Sequence, residues 1–262
     1  MYCFILLCLL CSAQSINAEF SLKNIVSYVL PKTQEELVNY DHSFEPHGSL
    51  EVENTNGDIV IKTWNQEKII VEAVKKGSET DLEELDIDAR FTENSAILTT
   101  KQPNKSKSVV DYTIIVPKRV NVKLKTVNGS ITVNQVEGAI TAVANKGAIA
   151  INEASNSVRA KTAKGTIDVT MRRIKPATTL TLENLEGDID LALPNETNAQ
   201  LAAKTLDGKI SCDLYVTLKS RTTKINNQFW DAMKREIDGT LGQSGSSINV
   251  NTTKGDISIT EY

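Results

Sequence analysis

Between residues 125 and 169 the chain places Gly129, Gly138, Gly147, Asn156 and Gly165 nine residues apart, and an isoleucine or valine stands two positions after each. So short a beat excludes helical repeats, whose units run to about 20–45 residues. It fits a strand of about five or six residues plus a corner. The same G-x-[IV] unit recurs at Gly57, Gly187, Gly208 and Gly255, often with a threonine three positions earlier, as at Thr126, Thr162, Thr205 and Thr252. A sharp corner asks for positive φ, which glycine adopts freely and asparagine better than most, so Asn156 reads as the one stand-in for glycine.

After each corner the apolar residues alternate: Ile131 and Val133, Ile149 and Ile151, Ile167 and Val169, Ile189 and Leu191, Ile257 and Ile259. Period two marks strands with one buried face, and the Thr, Ser, Asp, Asn and Lys between them suit a solvated face. Ala142, Ala144, Ala148, Ala150 and Ala160 read as small inward residues where the core is thinnest. The fold class is therefore all-β: a parallel β-solenoid, β-helix- or β-roll-like, of short coils, with a short N-terminal segment and an irregular C-terminal insertion. Later coils lengthen around Pro176 and Pro194. In the gap before Gly255, "INNQFWDAMKREIDG" offers Phe229, Trp230, Met233 and Ile237 either as one helical face or as part of an insertion over the solenoid's open end.

Upstream, "SLEVENTNGDIVIKTW" puts Leu50, Val52, Ile59 and Ile61 on one side, with Asn56-Gly57 as the turn between two strands. Residues 68–75, 85–91, 96–100 and 109–116 continue the strand signal, so this part reads as a starting edge of hairpins. Residues 77–84 and 101–108 are polar links. Thr33-Gln34-Glu35-Glu36 has capping-box spacing and predicts a short helix in an N-terminal linker or cap over 19–39, with the solenoid domain over 40–262.

The first eighteen residues, MYCFILLCLLCSAQSINA, hold no charged side chain and pass from an apolar block to small polar residues. They read as a signal peptide over 1–18, cleaved after Ala18 with Ala13 as the alternative, or else kept as an anchor. The block is shorter than the roughly 20 apolar residues of a membrane span. Export to the periplasm, the cell surface or the medium is expected, with no transmembrane span after the leader. Cys3, Cys8 and Cys11 fall inside it. Cys212 alone remains, which leaves no intrachain disulfide and places a thiol on the alternating buried face of "GKISCDL".

A formal net charge of -4, with basic and acidic residues interspersed and aromatics at 5%, argues against a nucleic-acid partner. His42 and His47 lack companions at coordinating spacing and read as a solvated loop, so neither a metal nor a cofactor is expected. Asp58, Asp188 and Asp256 follow corner glycines, too sparsely for a calcium-binding roll, and read as solvated corners. Arg172, Arg173 and Lys175 form the one local basic knot and are the candidate ligand contacts, suited to an anionic glycan. No catalytic residue is assigned. A polysaccharide-active enzyme would need acidic and basic groups clustered on one long face.

"VPKRVNVKLKTVNGSITV", "LPNETNAQLAAKTLDGKI" and "TLGQSGSSINVNTTKGDISI" resemble the bacterial putative-adhesin domain family, with its T-x-N-G-x-I strands and a closing T-x-x-G-D-I. "YDHSFEPHGSLEVENTNGDIVI" is similar to that family's opening strand, so the resemblance runs from about residue 40 to the end. It implies a parallel β-solenoid on the exported side of a bacterial envelope, of uncharacterised function and without catalytic residues to carry over. The chain is thus read as a non-enzymatic binding module for a protein or glycan at the envelope. The alternatives are a structural spacer and, third, a glycan-active enzyme.

Overall fold

The computed structural model describes residues 33–103, 106–219 and 235–262. They build one sheet of ten strands and another of eleven, whose inner faces share one apolar core. The first sheet holds β3 (Ile59–Trp64), β9 (Ile131–Asn134), β11 (Ile149–Ala154), β13 (Ile167–Met171), β15 (Ile189–Leu193) and β21 (Ile257–Glu261). The second holds β2 (Ser49–Glu53), β8 (Asn121–Asn128), β10 (Ile140–Lys146), β12 (Val158–Lys164), β14 (Thr179–Glu186) and β20 (Ser246–Lys254). One strand from each sheet makes a coil, and successive coils pair in parallel, which is the β-solenoid the nine-residue beat predicts.

Register turns the repeated isoleucine into a column. Ile59, Ile131, Ile149, Ile167, Ile189 and Ile257 stand over one another in the first sheet and are fully buried. Opposite them run Leu50, Val122, Ile140, Val158, Leu180 and Ile248. Each such side chain contributes roughly 1.5–3 kcal/mol by leaving water. Of the small residues, Ala142, Ala144 and Ala160 do point inward, whereas Ala148 and Ala150 lie on the outer face because they flank the inward Ile149.

The coils are not stacked in chain order. β6 (Ser95–Lys101) and β7 (Val109–Pro117) form a coil outside β2–β3, which is thereby sandwiched against β8–β9. At the far end β16 (Ala199–Asp207) and β17 (Ile210–Cys212) stack on β20–β21, so the chain's last coil lies one place in from the end.

Among the described residues, antiparallel strands cover three of the four edges of the parallel stack. β4 (Lys68–Gly77) lies on β7, β1 (Gln34–Ser43) on β4, and β5 (Asp86–Phe91) on β6. β19 (Glu236–Leu241) lies on β16 and β18 (Val216–Leu218) on β19. Here the capping-box expectation fails: Gln34 to Ser43 pair along their whole length with β4, and tertiary pairing overrides a local helix signal. Nor does Asn56-Gly57 close a hairpin, since it carries the chain from β2 in one sheet to β3 in the other. The acidic link holds a single-turn helix, α1 (Glu79–Glu83), capped by Ser78, whose Oγ accepts the Asp81 amide at 3.2 Å. Ile237 belongs to β19 rather than to a helical face, while Phe229, Trp230, Met233 and the leader lie outside the described residues. Cys212 is half-buried in the terminal coil, and burial pushes its thiol pKa up, which favours the protonated form.

Each coil turns twice. The first corner, within a coil, carries Gly57, Gly129, Gly147, Gly165, Gly187 and Gly255 at φ between 116° and 150°. Glycine is also required sterically: a methyl on Gly147 would overlap the carbonyl oxygen of Gly129 in the coil below, and the same holds up the stack. The threonine three positions earlier closes the corner. Thr126, Thr162, Thr252 and Thr205 donate to the carbonyls of Gly57, Gly147, Gly187 and Gly255 at 2.9–3.2 Å, and Asn184 donates to Gly165 at 2.8 Å. The aspartates that follow these glycines also bind across coils. Asp58, Asp188 and Asp256 accept the amides of Ser130, Asp256 and Lys209 at 2.7–2.8 Å. They are structural acceptors rather than merely solvated corners.

Candidate functional site

The second corner joins one coil to the next and is built differently. Gly138 and Asn156 lie here, and neither has positive φ. Asn156 is therefore no left-handed stand-in for glycine: its Oδ1 accepts the amide of the next residue, Ser157, at 2.8 Å, and its Nδ2 donates to Glu137 O at 3.4 Å. Where this side of the solenoid does turn left-handed, it does so at residues with side chains: His47, Gln135, Glu153 and Ala177, at φ of 54–67°. Such backbone costs of order 1 kcal/mol or more per residue and concentrates where side chains are held for a purpose. The first corner excludes side chains; the second confines Gly138 in the same way, against Val120 O, but surrounds it with residues that display theirs.

The displayed side chains line a groove of about 330 Å³ formed by His47, Arg119, Asn121, Glu137, Gly138, Asn156, Arg173 and Lys175. Glu137 stands between two guanidinium groups, 3.7 Å from Arg119 and 4.0 Å from Arg173, both pairs loose and solvated. Backbone bonds fix the walls: the Glu137 amide donates to Lys118 O at 2.7 Å and the Asn121 amide to Gly48 O at 3.0 Å. The carbonyl of Lys175 is held by Ser246 Oγ at 2.8 Å and by the Thr178 amide at 3.1 Å. A second groove, of about 380 Å³, meets the first at Arg119 and Glu137 and continues past Lys118 to Trp64, between Pro46 and Pro117. The indole Nε1 of Trp64 donates to Lys68 O at 2.9 Å, which anchors the ring. The groove opens where the link after β7 steps over the β2–β3 coil to reach β8.

Of the basic knot expected from sequence, Arg173 and Lys175 enter this groove and Arg172 does not. Arg172 is exposed beside it, its amide donating to Ala154 O at 2.8 Å. Arg119, Glu137 and Trp64 escaped the sequence reading, and His47, read there as part of a solvated loop, lines the groove. A signal was present: Arg119 to Glu137 is 18 residues and Glu137 to Arg173 is 36, whole multiples of the double beat. His42 is not in a solvated loop; it lies on β1 and stacks on Phe91, ring centroids 4.2 Å apart, where Tyr40 also packs. Among the described residues no group of three or more His, Cys, Asp or Glu is placed to hold a metal ion.

The family model for Toastrack DUF4097 matches residues 26–260. The chain belongs to that family. Solved structures that this chain matches at low identity are described as adhesion proteins. A putative cell adhesion protein from Clostridium sporogenes is 16% identical, with 88% of this chain and 100% of that chain covered, at a TM-score of 0.46. A putative adhesin from Bacteroides fragilis is 13% identical, covering 87% and 97%, at 0.24. One from Parabacteroides distasonis is 10% identical, covering 86% and 97%, at 0.26. Within the Toastrack fold of this chain, the second-corner groove gathers Arg119, Arg173, Lys175 and the left-handed His47, and the adjoining groove adds Trp64. Among the described residues no helix is long and apolar enough to cross a membrane.

Proposed function

We propose that this Toastrack chain is an exported, non-enzymatic binding module that meets its ligand at the second-corner groove. The observation that carries the reading is the contrast between corners: one is stripped to glycine, the other holds Arg119, Glu137, Arg173, Lys175 and His47 around an open cleft. The leader-like residues 1–18 support export to the periplasm, the surface or the medium, and the adhesion-protein descriptions of solved relatives support a surface role. A spacer assembled end to end is less well supported, because antiparallel strands cover three of the four edges and interrupt parallel stacking.

The test is retention of the purified chain on isolated cell-envelope material. Retention that falls with salt, and falls again in an Arg119→Glu, Arg173→Glu double variant with an unchanged melting temperature, supports the reading. Retention unaffected by both changes overturns it. Turnover of any polysaccharide in a screened panel would overturn the non-enzymatic part.

A further inference from the structure

We infer that the ligand of this groove is an acidic polysaccharide of the uronate type, bound with a sugar ring against Trp64 and a carboxylate between Arg119, Arg173 and Lys175. The inference rests on the groove being the binding surface and goes further by naming the chemistry it reads. Three features decide it.

The two grooves, of about 330 and 380 Å³, have room for more than a single ion, and they meet at Arg119 and Glu137. The cationic stretch is not uniform, because Glu137 sits in its middle, 3.7 Å and 4.0 Å from the two guanidinium groups. A fixed carboxylate there repels a ligand charged at every step, such as a nucleic acid or a polyphosphate, and can only accept hydrogen bonds. A ligand with one negative charge per unit and hydroxyl donors beside it matches that alternation: carboxylate to the arginines, hydroxyl to Glu137. Arginine suits the first task because its planar fork fits a carboxylate in bidentate fashion.

At the other end, Trp64 lines an open groove wall beside Pro46 and Pro117, and register places Trp64 next to Pro117. Its Nε1 is already engaged with Lys68 O, so the π face and ring edge are what remain for a ligand. One aromatic flanked by two prolines suits stacking of a single sugar ring. Single-stranded nucleic acid is instead held by successive aromatic platforms.

The experiment is calorimetric titration of the purified chain with four probes: a short oligogalacturonate, a maltooligosaccharide of the same length, poly-L-glutamate and oligothymidylate. Oligogalacturonate is expected to bind, with the neutral sugar and polyglutamate each weaker by about tenfold or more. Arg173→Glu and Trp64→Phe should each weaken oligogalacturonate by about tenfold at an unchanged melting temperature, and Lys175→Glu serves as a second charge variant should Arg173→Glu unfold. Trp64 fluorescence should shift on binding, a shift lost in Trp64→Phe. Polyglutamate binding as tightly as oligogalacturonate, oligothymidylate binding tighter, or indifference to the variants would overturn the inference. If no oligosaccharide binds while Arg119→Glu, Arg173→Glu still abolishes envelope retention, the ligand class is wrong and the groove reading stands; if neither responds, both fall.

Discussion

Thr162 donates its hydroxyl to the carbonyl oxygen of Gly147 at 3.0 Å, reaching from its own coil to the corner of the coil below. Thr162 is buried, so this bond is made out of water, and the carbonyl it serves belongs to a glycine that admits no side chain of its own. Thr162→Val keeps the shape and removes the donor. A loss of about 1–2 kcal/mol is expected, read as a lower urea midpoint with an unchanged slope.

One rung of this ladder is missing. Ala144 occupies the position that Thr126 and Thr162 hold in the coils on either side, in register with both, and it offers no donor to Gly129. Ala144→Thr should therefore raise stability by about 0.5–1.5 kcal/mol. Ala144→Val is the control for added bulk. Equal midpoints for the two variants would show that the hydroxyl contributes nothing.

The two corners should respond differently to substitution. Gly147→Ala places a methyl against the Gly129 carbonyl at a φ of 150°, and a loss of about 3 kcal/mol or more is expected. Asn156→Ala meets no steric block and loses the bonds to the Ser157 amide and to Glu137 O, about 0.5–1.5 kcal/mol. Thermal or chemical denaturation of the pair checks the contrast, and similar losses would contradict it.

In the outermost coil, Tyr112 shares a buried hydrogen bond of 2.8 Å with Thr100, and burial pushes its phenol pKa up to about 12. The folded state holds the protonated phenol more tightly than the unfolded chain does. That advantage is fully present below about pH 10 and is lost as pH rises through about 12, a change of about 3 kcal/mol. Tyr112→Phe should cost about 1 kcal/mol at neutral pH and flatten the fall in stability above pH 10. An unaltered alkaline profile would exclude Tyr112 as its source.

Much of the fold is legible from local pattern. Residues 68–75, 96–100 and 109–116 were marked by alternation and lie within β4, β6 and β7, because one buried face imposes period two wherever the strand sits. The candidate site was only half legible. Arg173 and Lys175 stood out as neighbours in sequence, whereas Arg119 and Glu137 look ordinary until an eighteen-residue coil sets them side by side. The threonine column was visible as a spacing, yet its purpose, a bond to a glycine carbonyl in another coil, is invisible without the stack.

By itself, the sequence determined the strand alternation and the inward column of isoleucines, since each depends on a single apolar face. It did not determine the strand β1, the outward Ala148 and Ala150 or the backbone of Asn156, which depend on pairing. Only the tertiary structure decided the order of the coils. Ile59, Ile131 and Ile257 present the same inward face, so nothing local says that β2–β3 lies inside β6–β7 or that β20–β21 lies inside β16–β17. That choice is made by which edges find partners. It is also what makes the link at Arg119 step across a coil and open the groove.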